Sequence, residues 1–252
     1  MKRVCLIILL FCVLVSSSEA QLWKMKRYEI AGGFGPSMLF GDVGGFSKTK
    51  NILGLRDISL IQTRFNINLN FKYRITQDIN VRLSLTSGLL HASDIRGSNE
   101  ARGYEASISI FEPAILGEYY IIKNSAENSY LFSKGRQGFI RGILGSLDVY
   151  AFTGIGGLSY NVKANDLLIA RQLQDGIQSG NFTMVVPVGA GASLAYSPNF
   201  NFGVEFGARY AFTDKLDGFT SVNSSSNDLY DFFNLTIIYK LKTTPKGFPS
   251  FR

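Results

Sequence analysis

The stretch Thr63-Arg64-Phe65-Asn66-Ile67-Asn68-Leu69-Asn70-Phe71-Lys72-Tyr73-Arg74-Ile75 alternates without a fault. Phe65, Ile67, Leu69, Phe71, Tyr73 and Ile75 share one face, and Arg64, Asn66, Asn68, Asn70, Lys72 and Arg74 share the other. A period of two belongs to a β-strand whose two sides meet different media. After Thr76-Gln77-Asp78 the pattern resumes, with Ile79, Val81, Leu83, Leu85 and Leu89 set against Asn80, Arg82, Ser84 and Thr86, so a tight hairpin joins two strands. Both strands are long for a globular sheet and long enough to cross a bilayer when tilted.

Working outward, the same period marks Tyr28 to about Met38, Tyr104 to Ile122, Tyr150 to Tyr160, Phe182 to Tyr196, Phe202 to Tyr210 and Phe233 to Leu241. In Tyr104 to Ile122 either phase carries apolar residues. Placing Phe111, Ile115, Tyr119 and Ile121 outward puts Glu112 and Glu118 inside, whereas the opposite phase would turn Glu112 toward lipid. The count is eight. Connections alternate between long polar ones (41–60, 91–103, 163–180, 213–228) and tight ones (76–78, 197–200), with 123–146 a longer stretch on the short side. The expectation is an all-β, eight-stranded antiparallel up-and-down transmembrane β-barrel with short turns and both termini in the periplasm. Tyrosines near strand ends, among them Tyr28, Tyr73, Tyr104, Tyr119, Tyr150, Tyr160, Tyr196, Tyr210 and Tyr239, fit interfacial girdles. A soluble sandwich also alternates, but with its apolar face inward and shorter strands.

Composition agrees. Of 252 residues 46% are hydrophobic and 18% charged, which excludes disorder. Mean hydropathy is +0.10, yet the one long apolar run, Val4 to Val15, is too short for a spanning helix. With Lys2-Arg3 before it and Ser18-Glu19-Ala20 after it, that run reads as a secretory signal over 1–20. The barrel then occupies 21–241, and 242–252 forms a periplasmic tail. Cys5 and Cys12 leave with the signal, so thiolate metal sites and disulfides are excluded from the mature chain. Removing Lys2, Arg3 and Glu19 from 26 basic and 19 acidic residues leaves 24 and 18, a charge of +6. An exported chain of this charge is expected to meet outer-membrane lipid and lipopolysaccharide, not nucleic acid.

Parity assigns Arg64, Arg82 and Arg209 to the interior with Glu112, Glu118 and Glu205, a charge-balanced filling that a barrel of eight strands has room for. The turn side collects Lys72, Arg74, Lys123, Lys134, Arg136, Arg141, Lys240, Lys242 and Lys246 as a basic periplasmic face; with Lys24, Lys26, Arg27 and Arg252, and against Glu29, Asp78, Glu127 and Asp148, that side carries +9, and the outer side −3. Asp214, Asp217, Asp228 and Asp231 bracket one outer loop; calcium is conceivable there, but the spacing matches no established calcium loop and reads as a solvated acidic loop. His91, the only histidine, lies in phase with Ser87 at the outer end of a strand. With no acid placed to orient it, since Asp94 belongs to the following loop, no catalytic residue, cofactor or metal is expected. Gly154-x-Gly156-Gly157 lacks the third glycine of a phosphate loop.

Phe40-Gly41-Asp42, Arg82-x-Ser84-x-Thr86-x-Gly88, Glu112 and Glu118, Pro187-x-Gly189-x-Gly191, Glu205-x-Gly207-x-Arg209-Tyr210-x-Phe212-Thr213-Asp214-x-Leu216-Asp217 and Asp228-x-Tyr230 resemble the Bacteroidota barrel family that includes PorG. The chain departs from that pattern at Gly218-Phe219 and at Asn234. The resemblance implies an outer-membrane component of type IX secretion and gliding machinery, a non-enzymatic anchor or scaffold touching periplasmic ring proteins of the PorK and PorN type. Tyr210, Phe212, Thr213, Asp214, Leu216, Asp217, Asp228 and Tyr230 would form its outer-loop motif. Two other readings remain: an OmpA- or OmpW-like barrel that binds external ligands or passes small apolar solutes, and a lipid A-modifying enzyme built on His91.

Overall fold

Strands that alternate this strictly satisfy their backbone groups only by pairing sideways, and the pairing here runs until it meets itself. The computed structural model describes residues 26–44, 61–95, 100–124, 144–175, 181–220, 227–244 and 248–250. Its long strands are β1 (Tyr28–Phe40), β2 (Arg64–Arg74), β3 (Ile79–Ser93), β4 (Glu105–Ile122), β5 (Leu147–Ala164), β6 (Phe182–Ala195), β7 (Phe200–Ala211) and β8 (Leu229–Thr243). Each pairs antiparallel with its chain neighbours, and β1 closes on β8 from Tyr28↔Leu241 to Phe40↔Leu229. The eight-stranded antiparallel barrel is thus the observed fold.

Parity decides which medium each side chain meets. Phe65, Ile67, Leu69, Val81, Leu83, Leu85, Phe111, Ile115, Val188, Phe202, Leu235 and Ile237 are exposed around the outer wall. Asn66, Asn70, Lys72, Arg74, Asn80, Arg82, Ser84, Thr86, Glu112 and Glu118 are buried inside. A soluble sandwich has the reverse polarity; this wall is suited to hydrocarbon. Tyr28, Tyr73, Tyr119, Tyr196 and Tyr239 gather at the turn end, where Tyr28 stacks near Tyr73 and Phe71, and Phe200 near Tyr239. Three expected girdle members are corrected: Tyr150 and Tyr160 are buried within, because β5 turns its aromatic residues to the lumen, and Tyr104 packs against Phe219 of the loop-end cluster.

Prolines locate the local gaps in the wall. Pro36, Pro113 and Pro187 keep one ladder intact, opposite Phe65, Leu85 and Arg209. On the other side the ladder skips two rows at each of them, between β1 and β8, β4 and β5, and β5 and β6. A residue without an N–H belongs at such a break.

The connections differ from expectation in two places. The stretch expected to be a polar loop over 163–180 contains helix α1 (Asp166–Asp175), started by Asn165, whose side-chain oxygen accepts the Leu168 N–H at 3.0 Å. Leu168 is buried in a cluster with Leu39, Leu90, Ile108, Leu158, Tyr160, Leu216 and Phe219 that fills the loop end of the barrel. Nor is the tail after Leu241 simply extended: β8 continues to Thr243, and a short β9 (Pro249–Ser250) pairs back on Lys242 and Thr243.

Leu69 lies midway along β2 on the outer wall, opposite Gly32 and Leu85. Leu69→Arg is expected to cost about 2–4 kcal/mol in a bilayer, while Leu69→Phe is nearly neutral. Urea unfolding of the barrel in phospholipid vesicles measures the difference, and equal stability of the two variants would refute the lipid-facing assignment.

Candidate functional site

Inside a closed wall, polar side chains gather in the lumen and at the ends. At mid-height the lumen holds two cations and two anions from four strands. Lys72 Nζ lies 2.9 Å from Glu118 Oε1 and 3.7 Å from Glu205 Oε1. Arg82 Nη1 lies 3.1 Å from Glu118 and 2.7 Å from Glu205. Tyr150 donates to Glu205, the Arg82 guanidinium sits 4.6 Å from the Phe152 ring centre, and Lys72 sits 4.9 Å from that of Tyr150. Gly191 makes room for Tyr150, because a Cβ there would be 2.5 Å from the tyrosine ring. Removing such charges from water is tolerable only because each meets an opposite charge.

Toward the loop end Arg209 approaches Glu112 at 3.6 Å and lies against the Phe232 ring at 4.3 Å, while the Tyr230 hydroxyl donates to Glu112 at 2.6 Å. Toward the turn end Arg74 bonds Glu29 at 3.0 Å. Glu112 and Glu118, both inward as expected, therefore serve different clusters. Sequence reasoning overlooked Glu29, Tyr150 and Tyr230 as lumen partners; their parity with neighbouring inward residues was the available signal.

Three assignments are corrected. Arg64 is not in the cluster: at the first position of β2, it donates to the Ile61 and Thr63 carbonyls at 2.9 and 3.0 Å. Lys72, Arg74 and Lys240 do not form a basic outer face, because their strands turn them into the lumen, where they are buried. Lys123 is also largely enclosed, 3.8 Å from the Tyr120 ring centre, and burial together with Arg74 pushes its ammonium pKa down to about 8. Lys242 remains exposed, while Lys134, Arg136, Arg141 and Lys246 lie outside the described residues. Among the described residues counted in the expected +9, Lys72, Arg74 and Lys240 are thus lumen charges, with Glu29, Glu118 and Glu205 as the buried acids beside them.

The loop motif is corrected likewise. Tyr210 and Phe212 are exposed, in edge-to-face contact, but Leu216, Asp217, Asp228, Tyr230 and Asp231 are buried, so this is no solvated acidic loop. Asp217 accepts the Val43 and Phe219 N–H groups, both at 2.9 Å, and Asp228 accepts the Leu216 N–H at 2.7 Å. A Cβ on Gly41 would lie 2.5 Å from Asp217 Oδ2 and 2.8 Å from Asp228 Oδ1, so only glycine lets the two carboxylates approach β1. Thr213 Oγ1 accepts the Lys215 N–H at 3.3 Å, and Thr220 donates to Asp214 at 2.6 Å. Phe40-Gly41-Asp42, Leu216-Asp217 and Asp228, far apart in sequence, thus build one latch that holds Leu216 and Phe219 in the apolar plug. No three metal-ligating side chains converge among the described residues.

Burial drives both latch carboxyls up, Asp217 to about 7 with Asp42 and Asp214 adding repulsion, and Asp228 well above its ordinary range with Asp217 adding most of the repulsion. The folded latch therefore binds more protons than the unfolded chain. Its stability is greatest below the ordinary carboxyl pKa of 3.8 and falls as pH rises toward 7. Amide exchange at Leu216 and Phe219 is expected to show weaker docking at pH 8 than at pH 5, and Asp228→Asn should flatten the dependence. Docking that tightens with pH would contradict the raised carboxyl pKa values. In the lumen, Arg209→Ala strands Glu112 and is expected to destabilise the barrel by about 3–5 kcal/mol. Planar-bilayer recordings should show no large stable conductance in either native protein or variant; such a conductance in the native protein would refute the plug.

No curated protein matches the sequence. Among solved structures the chain is similar to the attachment invasion locus protein Ail of Yersinia pestis (14% identity, 85% of this chain and 98% of that one, TM-score 0.44). It is also similar to Neisserial surface protein A (11%, 84% and 96%, TM-score 0.44) and to the N-terminal β-barrel domain of Pseudomonas aeruginosa OprF (10%, 84% and 98%, TM-score 0.40). A family model described as a domain of unknown function, DUF6089, matches residues 2–245, and the chain belongs to that family.

Proposed function

We propose that the protein is an outer-membrane barrel acting as a closed anchor, a PorG-like component of type IX secretion and gliding machinery. The observation that carries the closed-anchor part is the filled lumen: paired charges occupy its middle and an apolar plug its loop end. A wall packed in this way offers no evident path to solutes, so its work lies in what its ends hold. The pathway rests on the residue resemblance, and the latch gives the resembling segments a common task. Phe40-Gly41-Asp42 at the end of β1 meets Leu216-Asp217 and Asp228 of the β7–β8 connection at one point.

On this reading the short turns and termini face the periplasm and meet ring proteins of the PorK and PorN type. The surface available to them includes exposed Lys242 and the strand extension formed by Thr243 with Pro249. Lipid and lipopolysaccharide contact the wall.

Affinity purification of the native protein from outer membranes in mild detergent is expected to recover PorK- or PorN-like proteins. Their absence, together with normal secretion in a deletion strain, would overturn the assignment to this machinery.

A further inference from the structure

The expectation that His91 has no acidic partner is overturned. In β3 and β4 the odd-numbered residues face the outer wall, and the register sets His91 opposite Ser107 and Ser93 opposite Glu105. The His91 Nδ1 lies 3.2 Å from Ser107 Oγ, and its Nε2 lies 3.5 Å from Glu105 Oε1. Asp94, the acid considered from sequence, is committed to Arg102 at 3.0 Å.

The ring nitrogens have consistent roles. Glu105 can only accept, so Nε2 carries the proton, and Nδ1 is left to accept from the serine hydroxyl. His91 is buried, whereas Ser107 is exposed, so the base is sheltered and the hydroxyl accessible. On the other side of Ser107 the register places Lys163 of β5 directly opposite, also exposed. Directly opposed residues on one face lie within side-chain reach. His91, Ser107 and Lys163 therefore form a row across three strands, with Glu105 behind the histidine.

Below this row the wall turns apolar. Leu89 and Phe111 are exposed, and further down a groove of about 460 Å³ opens between Pro113, Ile115, Ile155, Gly157, Phe182 and Met184. At about 3.4 Å per residue, Pro113 lies roughly 20 Å along β4 from Ser107, about the length of a long fatty acyl chain. The ladder gap beside Pro113 and the missing side chain of Gly157 help to shape that groove.

We propose that Ser107, His91 and Glu105 form a hydrolytic site for a carboxylic ester of an acyl lipid, its chain lying down the β3–β6 wall and its anionic head group or developing oxyanion meeting Lys163. The lipid substrate rests on the membrane reading above; the serine chemistry does not. Ser107 Oγ attacks the ester carbonyl as its proton passes to His91 Nδ1. The tetrahedral adduct collapses, the ester C–O bond breaks, and the departing alkoxide takes the proton from Nδ1. Water then gives a proton to Nδ1 as its oxygen attacks the acyl carbon, the bond to Oγ breaks, and Oγ recovers the proton. The products are an alcohol and a carboxylic acid. Glu105 is a positioning residue that holds the Nε2 proton and steadies the imidazolium.

The test uses the full chain, folded and verified by its heat-modifiable gel mobility, in detergent and in vesicles of dipalmitoyl phosphatidylglycerol. A fluorophosphonate probe is expected to label Ser107, and the protein to hydrolyse p-nitrophenyl palmitate in mixed micelles. Ser107→Ala should abolish labelling, and Ser107→Ala and His91→Gln should each lower turnover about 10³-fold or more, while Ser109→Ala, a neighbouring exposed serine, leaves both unchanged. Glu105→Gln should lower kcat with KM unchanged, and Glu105→Asp should recover part of it. Lys163→Ala should raise KM for the anionic lipid more than for the micellar ester. Failure of the native protein to label at Ser107, or undiminished turnover in Ser107→Ala, overturns the site. Labelling without hydrolysis of either ester would overturn the assigned substrate class. None of these results depends on which proteins co-purify.

Discussion

The pairing of β1 with β8 is the constraint on which the rest of the molecule depends, because hydrocarbon offers no partner to an unpaired N–H or C=O. Once the sheet closes, every residue of every strand has one of two destinations, and parity alone chooses between them. The ladder skips rows beside Pro36, Pro113 and Pro187, where an N–H is missing, and shifts register once more between Tyr120 and Ile122 of β4. The wall thus keeps its closure while tolerating three residues that a central strand rarely accepts.

Closure also explains why a lumen this narrow is so highly charged. Eight strands enclose space for side chains and little else. Polar residues alternating with the lipid-facing set must be stacked there, and charges among them persist only when matched. Lys72 and Arg82 share Glu118 and Glu205 between them, so loss of one member leaves an uncompensated charge on another strand. Cross-strand ion pairs thereby tie together positions that the backbone ladder joins only through intervening strands. The pairing of β2, β3, β4 and β7 residues in one cluster gives register an energetic consequence inside the barrel as well as outside.

The fold was legible because its period is two and its strands are long; Thr63 to Ile75 alone separates the faces. Destination was equally legible wherever parity was followed strictly, as for Glu112, Glu118, Glu205 and Arg82. Parity still decides where a turn lies close. Lys72, Arg74 and Lys240 lie near strand ends, and were read as a surface although their own alternation points inward. Contacts between strands were harder to read, since a sequence without register cannot say that Glu105 meets His91 or that Asp217 and Asp228 meet beside Gly41. Helix α1 was not legible because its ten residues follow a strand directly within a stretch whose polar composition reads as a loop.

The two ends of the barrel solve the same problem by different means. At the turn end, among the described residues, Glu29 pairs with Arg74 and Lys123 lies over Tyr120 at the mouth of the lumen. At the loop end, chain is plentiful, and Leu168 and Leu216 enter as an apolar plug held by carboxylates that accept backbone N–H groups. An apolar plug needs no ion pairing of its own, which leaves the titratable groups there free to be tuned by burial. It also places the outer rim of β3, β4 and β5 over a rigid interior, since Leu90, Ile108 and Leu158 are locked behind it. Side chains on the outside of that rim, His91 and Ser107 among them, are therefore mounted on a wall backed by a buried apolar cluster, the condition under which a few polar groups at a lipid boundary can be held in reactive alignment.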